Sequence, residues 1–364
     1  MNGDLQQLEE KLKRLLHDIY FRLLLTDPKS RKVILCESPL APIILKQTIA
    51  KILFGYLQVP SLSFVPIHLT ALLTTGMTTG LVLDCGNLET SVLPIYTARP
   101  LIPYITTTPL AGRAVTQRLH SLLLEHGRYI PPSNLHISLA PQMPIPEHIL
   151  TPELLEDIKS RMLFCSPVLI GREHNDDRHA VYKNFSSATD LYVSLMDGSA
   201  TLLVPGWIRE RSAEVLFEGD DDEPSLAHCV LNCLLKLQPD LRKPLVSSLL
   251  LIGGTSLLPG FQSRLKQEFT RLMRSPTDYE KRKYSSLLRL HKFIRFMHNS
   301  EETGVKSVFV NNQRGWIGAS LMSSLKISGE EISREKYTGT VTDWSIGHWS
   351  DTVSATVTTN HPTL

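Results

Sequence analysis

With 364 residues, 42% of them hydrophobic and 20% charged, the chain has the size and apolar content for two or three lobes with substantial cores. Its 38 basic and 36 acidic residues leave a formal charge of +2, which supplies no field for general nucleic-acid binding. Five cysteines at irregular spacing exclude a secreted disulfide scaffold and fit a reducing compartment.

The stretch Met1–Tyr20 is polar and lacks the apolar core of a signal peptide. Leu5, Leu8, Leu12, Leu15, Leu16 and Ile19 recur at helical spacing, which predicts a helix over Leu5–Leu25. Lys32–Cys36 follows the turn former Asp27-Pro28 and reads as a buried strand; Pro42–Tyr56 reads as a helix. No charged side chain occurs from Ile52 to Leu83, a run long enough to cross a bilayer. Pro60, Pro66 and the turn-like Thr75–Gly80 would break the hydrogen bonds of a spanning helix. The run therefore predicts strand Val59–Val65, short helix Ile67–Thr74 and strand Gly80–Asp84 in a soluble core. Thr90–Tyr96 is a second strand, joined through a tight Cys85-Gly86-Asn87 turn, and Ala111–His126 is a helix.

Six prolines between Pro131 and Pro152 predict an extended surface connection. Thr151-Pro152-Glu153 combines a capping hydroxyl, a first-turn proline and an early acid, and so starts a helix reaching Phe164. Arg172–Thr189 reads as a polar loop and Glu218–Glu223 as a solvated acidic one. Helices Leu226–Leu237 and Leu241–Ser248 precede strand Leu249–Gly253, and helix Pro259–Met273 follows it. The basic segment Lys281–Arg295 reads as a solvated insertion rather than a nucleic-acid patch, and the threonine-rich tail beyond Thr338 as partly ordered. Strands and helices that alternate, with glycine turns at strand ends, imply an α/β fold whose ligands bind at the carboxyl ends of strands.

Two such turns could carry chemistry. At Asp84–Asn87 a carboxylate at a strand end can hold the water shell of magnesium, and the amides of Gly86 and Asn87 can approach phosphate oxygens. A plain hairpin turn needs the same residues. At Gly253-Gly254-Thr255 the backbone is open to a flat ligand or phosphate beside a helix start, although glycine there also serves geometry alone. Cys229 and Cys233 share a helix face and read as packed core thiols rather than zinc ligands. His68 reads as a core or boundary histidine.

Taken together, LVLDCG (81–86) followed by VLPIY (92–96) resembles the second phosphate hairpin of the actin superfamily, and LIGGTSLLPG (251–260) resembles its adenosine motif. LCESPL (35–40), LAGR (110–113), EDIK (156–159), DLRK (240–243) and GWIGAS (315–320) resemble further family segments in the same order, so that the likeness covers Leu23–Tyr337. The resemblance implies an actin-like (ribonuclease-H-like) α/β fold of two lobes around a central cleft. Residues 1–75 plus 313–364 would form a partial subdomain 1, 76–110 plus 224–312 subdomain 3, and 111–223 subdomain 4. Subdomain 2 is expected to be essentially absent and the first lobe N-terminally truncated. The resemblance also implies nucleotide contacts at Asp84, Gly86, Asn87, Lys159, Gly253, Gly254, Thr255 and Leu257, with Asp84 meeting magnesium through water.

Departures from the family pattern bear on activity. Nothing before Lys32 resembles the first phosphate hairpin. Leu88 stands where the second hairpin has its final glycine and is expected to crowd the phosphates; Ser91 stands for the water-orienting histidine, and Ile67 or His68 for the catalytic glutamine. Hydrolysis needs both a positioned phosphate and an oriented water. A non-enzymatic chain with no catalytic residue and no required cofactor is therefore expected, with ATP or ADP plus magnesium as vestigial ligands. Among divergent members, the likeness is to the actin-related subunit at the pointed end of dynactin. That implies a cytoplasmic, cytoskeleton-associated cap that binds actin-like filament subunits and other pointed-end dynactin subunits, without nucleic acid and without insertion into membranes. An ATP-binding switch or weak ATPase, and a nuclear actin-related subunit of a chromatin-remodelling complex, are the alternatives. Lys281–Asn299 and Pro131–Pro152 are the expected divergent surfaces.

Overall fold

A computed structural model describes residues 2–132, 141–168, 182–183, 186–195, 198, 200–220, 222–274, 276–297, 309–325 and 331–341. Most of the Arg172–Thr189 loop, the middle of the proline-rich connection, the end of the 281–299 segment and the tail after Val341 lie outside the described residues. The chain divides into two compact units, one of Met1–Thr78, Ile95–Pro103 and Arg314–Leu364, the other of Thr79–Pro94 and Tyr104–Gln313.

In the first unit, strand β1 (Val33–Glu37) runs parallel to β2 (Ser61–Pro66), and β11 (Glu331–Ser333) pairs antiparallel with β2 on its other side. Helix α1 (Asn2–Asp18) and helix α2 (Ile43–Lys51) both stop short of the expected ends and widen into single π-turns, Ile19–Leu23 and Ile52–Tyr56. Leu24 N–H donates to the Ile19 carbonyl at 2.8 Å and Leu57 N–H to the Ile52 carbonyl at 3.0 Å. Leu25 (φ 48°) and Gln58 (φ 58°) then take the left-handed conformation that usually falls to glycine. The widened turns deliver Tyr20, Leu53, Phe54 and Leu57 into a core shared with Val59, Leu62 and Phe64, so packing outweighs the local strain. Lys46 Nζ lies 2.8 Å from Glu37 Oε2, both side chains being buried, and this pair ties α2 to the end of β1.

Helix α3 (Ile67–Leu73) leaves β2 directly and packs on helix α11 (Arg314–Ser324). Contact is backbone-close: a Cβ on Gly318 would lie 1.7 Å from the Thr70 carbonyl oxygen, and one on Gly315 would lie 2.4 Å from Ile67. The 52–83 run thus contains a π-turn, a strand, a helix and another strand. Among the described residues, no helix is long and apolar enough to cross a membrane.

In the second unit, β3 (Gly80–Cys85) lies between β10 (Leu249–Ile252), to which it runs parallel, and β4 (Thr90–Tyr96). Leu81, Val82, Leu83 and the four residues of β10 are all buried, the continuous apolar pattern of strands covered on both faces. Short strand β6 (Thr106–Thr108) pairs antiparallel with the start of β4, and β5 (Arg99–Pro100) pairs with the last two residues of β4 in the first unit. The helices of this unit are α4 (Gly112–His126), α5 (Pro152–Met162), α6 (Gly206–Arg211), α7 (Leu226–Lys236), α8 (Pro239–Val246), α9 (Phe261–Arg274) and α10 (Asp278–Tyr284). Thr151 caps α5 as expected, its Oγ1 accepting from Leu154 N–H at 3.3 Å. An additional antiparallel sheet, ordered β7 (Arg128–Ile130), β9 (Thr201–Val204), β8 (Leu191–Ser194), was not anticipated from the sequence.

One further reading changes. The segment expected as a solvated insertion begins inside α10, which a Thr277/Glu280 capping box starts, and it buries Tyr284 and Leu287 completely. Helix α9 carries a buried ionic cluster. Arg264 grips Glu214 with two bonds of 2.6 and 2.8 Å, meets Glu268 Oε1 at 2.9 Å and donates to the Ser166 carbonyl at 3.0 Å. Burial pushes the Glu214 carboxyl up and Arg264 opposes that shift.

Candidate functional site

The carboxyl ends of β3 and β10 lie side by side, with Asp84 in register with Ile252. The turns that follow them meet. Gly253 takes φ +85°, and a Cβ there would lie 2.3 Å from the Cys85 carbonyl oxygen and 2.6 Å from Asp84 Oδ1. Only glycine lets the second turn close against the first. The Thr255 hydroxyl donates to the Gly86 carbonyl at 2.7 Å, and Gly112 N–H donates to the same oxygen at 3.1 Å. Gly86 N–H closes the turn on the Glu89 carbonyl, and Arg113 N–H donates to the Asn87 carbonyl. The hairpin tip, the first turn of α4 and the short helical turn Thr255–Leu257 are thereby joined.

They form one wall of a cavity of about 420 Å³, within the range of small-molecule sites. Gly86, Asn87, Gly112, Val115, Gly254, Thr255, Leu257 and Leu258 line it from these elements, and Glu156, Lys159 and Ser160 from α5. Lys159 Nζ is held at 2.6 Å from Glu156 Oε1 and 2.9 Å from Thr116 Oγ1. The open backbone at Gly254, where a Cβ would meet nothing within 4 Å, and the apolar Leu257, Leu258 and Val115 suit a flat ring, while Lys159, Glu156 and Asn87 suit hydroxyls or an anion.

Of the eight residues expected at a nucleotide site, Gly86, Asn87, Lys159, Gly254, Thr255 and Leu257 line this one cavity. Asp84 and Gly253 do not line it; they form the packed seam behind the hairpin tip. Burial, helped by Glu89, pushes the Asp84 carboxyl up to about 6. Asp84, a carboxylate at a strand end, is the group here that could hold a hard cation through water. Leu88, expected to crowd phosphates, is 66% exposed and is not among the cavity residues.

The positions expected to degrade hydrolysis are placed as follows. Ser91 is buried on β4, paired with Thr107 of β6. His68 is fully buried in the first turn of α3, and Ile67 abuts Gly315. Cys229 and Cys233 are buried free thiols whose pKa values burial pushes up to about 11 and about 12, with sulfur contacts to Thr106 Oγ1 and the Tyr104 carbonyl. Gly112, Val115, Glu156, Ser160 and Leu258 were missed as cavity residues. The Glu156/Lys159 spacing of three on a capped helix was the one local signal that could have found part of them.

A family model described as Actin matches residues 5–344. Actin-related protein 10 of Dictyostelium discoideum is 28% identical over 355 residues, covering 91% of this chain and 70% of that protein. Actin-29 from the same organism is 26% identical over 338 residues, covering 90% of this chain and 74% of that protein.

Proposed function

Because the chain belongs to the actin family, we propose that it is a non-enzymatic actin-related subunit of dynactin, seated at the pointed end of its actin-like filament and supporting dynein-driven transport along microtubules. The observation that carries this reading is the likeness to actin-related protein 10 along 91% of the chain. Residues 76–110 plus 224–312 and 111–223 act as subdomains 3 and 4 in this assignment, and the protein works in the cytoplasm as a filament cap. The substituted positions support a binding rather than a catalytic role. Ser91 is a short hydroxyl inside a strand pair, and neither Ile67 nor His68 offers an amide to hold a water in line with a phosphate. Affinity purification of the full chain from cells, followed by mass spectrometry, tests the assignment. Dynactin subunits are expected; chromatin-remodelling subunits, or neither set, overturn it.

One observation favours a second reading, a nucleotide-binding switch: six of the expected contacts line a single cavity. In that case Lys159, Glu156 and Asn87 hold the ribose and proximal phosphate, and Asp84 holds magnesium through water. Incubation with magnesium and ATP, removal of free nucleotide, and chromatography of the released ligand separate the two readings. Retained but intact ATP fits a binding role, whereas sustained phosphate release refutes the non-enzymatic assignment.

A further inference from the structure

A second concavity of the same unit, of about 530 Å³, lies between β6, α7 and α10, with Thr107, Asn232, Lys236 and Lys283 on its surface. Its chemistry is one-sided, because every charged residue that lines it is a lysine. Apart from His228, the rest of helix α7 is apolar, and it presents Asn232 and Lys236 one turn apart at this place. Both are held. Lys236 Nζ donates to the Ile105 carbonyl at 3.2 Å, which fixes the ammonium at the rim and leaves its other protons for a ligand. The hydroxyl of fully buried Tyr284 donates to Asn232 Oδ1 at 3.0 Å, so the amide oxygen is occupied from within and the NH2 group is what Asn232 offers outward.

Two of the nearby acids already have partners. Glu280 accepts from Thr277 N–H at 2.7 Å and pairs with His228 and Arg271; burial would raise its carboxyl, but these partners hold it below its usual value. Asp220 accepts from Asp222 N–H and Glu223 N–H. The Cys229 thiol at the base is kept protonated by burial and adds no negative charge.

We propose that this trough binds carboxylate side chains of an acidic segment on a partner protein. Carboxylate fits better than phosphate because the site has point-charge lysines, an amide and a hydroxyl, with neither an arginine fork nor a nest of backbone N–H groups to enclose a tetrahedral anion. It is independent of the nucleotide cavity and of the dynactin assignment. Fluorescence anisotropy of fluorescein-labelled hexaglutamate with the full chain at low ionic strength tests it. Binding is expected, weakening as salt is added, and falling about fivefold or more when both lysines are removed in K236A/K283A. Asn232→Asp keeps the Tyr284 bond yet places a carboxylate in the trough, so it should weaken binding comparably while thermal melts stay unchanged. K281A/K292A removes two exposed lysines elsewhere and should leave binding intact. Absence of hexaglutamate binding, equal loss in K281A/K292A, or displacement by inorganic phosphate at matched charge would each overturn the proposal.

Discussion

Asp84→Asn isolates the one carboxyl that sits where the two strand-end turns meet. Burial beside Glu89 raises that carboxyl from 3.8 to about 6. A carboxyl with a higher pKa in the folded chain holds its proton more tightly when folded. Between pH 4 and 6 the folded state therefore carries more protons than the unfolded one, and stability falls as pH rises through that window. The shift corresponds to at most about 3 kcal/mol. Asparagine has nearly the same shape and cannot ionise. The variant should match the wild type near pH 4 and overtake it by up to about 3 kcal/mol at pH 7. Urea unfolding of both full-length proteins, followed by circular dichroism at pH steps from about 4 to 7, reads the difference directly, and other titrating groups cancel in the comparison. Parallel profiles, or a wild type that gains on the variant as pH rises, would show that Asp84 is not a desolvated carboxyl and would remove the argument that it awaits a cation.

Gly253→Ala combines a φ of +85° with a methyl 2.3 Å from the Cys85 carbonyl, and should lower stability by more than about 2 kcal/mol; an unchanged melting temperature refutes the seam. Arg264→Met strips the cation from Glu214 and Glu268 and should cost about 3–5 kcal/mol. Adding Glu214→Leu and Glu268→Leu should recover most of that loss in the same melts, and no recovery would mean that Arg264 acts by packing rather than charge. Lys159→Ala removes the ammonium from the cavity wall and should weaken a fluorescent ATP analogue about tenfold with a melt within about 0.5 kcal/mol of wild type. Equal affinity would place the analogue elsewhere.

The second-unit sheet was legible because β3 and β10 are apolar runs closed by glycine, a pattern with few competing readings. The ends of α1 and α2 were not, since nothing in Leu25 or Gln58 announces a left-handed residue; long-range packing of Tyr20 and Phe54 imposes it. Strands β7, β8 and β9 hold three or four residues each, and β7 pairs with a strand some seventy positions on, beyond any local periodicity. At the site, the glycines and Asn87 were readable from the family likeness, whereas Gly112 and Glu156 belong to it only because α4 and α5 dock together. Arg264 and Glu268 have the spacing of an ordinary surface pair, and their sequence says nothing of the burial that changes their energetics.

The carbonyl of Gly86 accepts from the Gly112 amide, and the neighbouring bonds from Gly86 and Arg113 likewise run between main-chain atoms, with the Thr255 hydroxyl as the one side-chain donor added to them. Main-chain links are blind to side-chain identity. Replacing Asn87 alters what this corner presents to a ligand while the corner itself keeps its shape. Architecture and chemistry can therefore drift apart here, because the contour of the cavity and the side chains that face it are held by different parts of the chain.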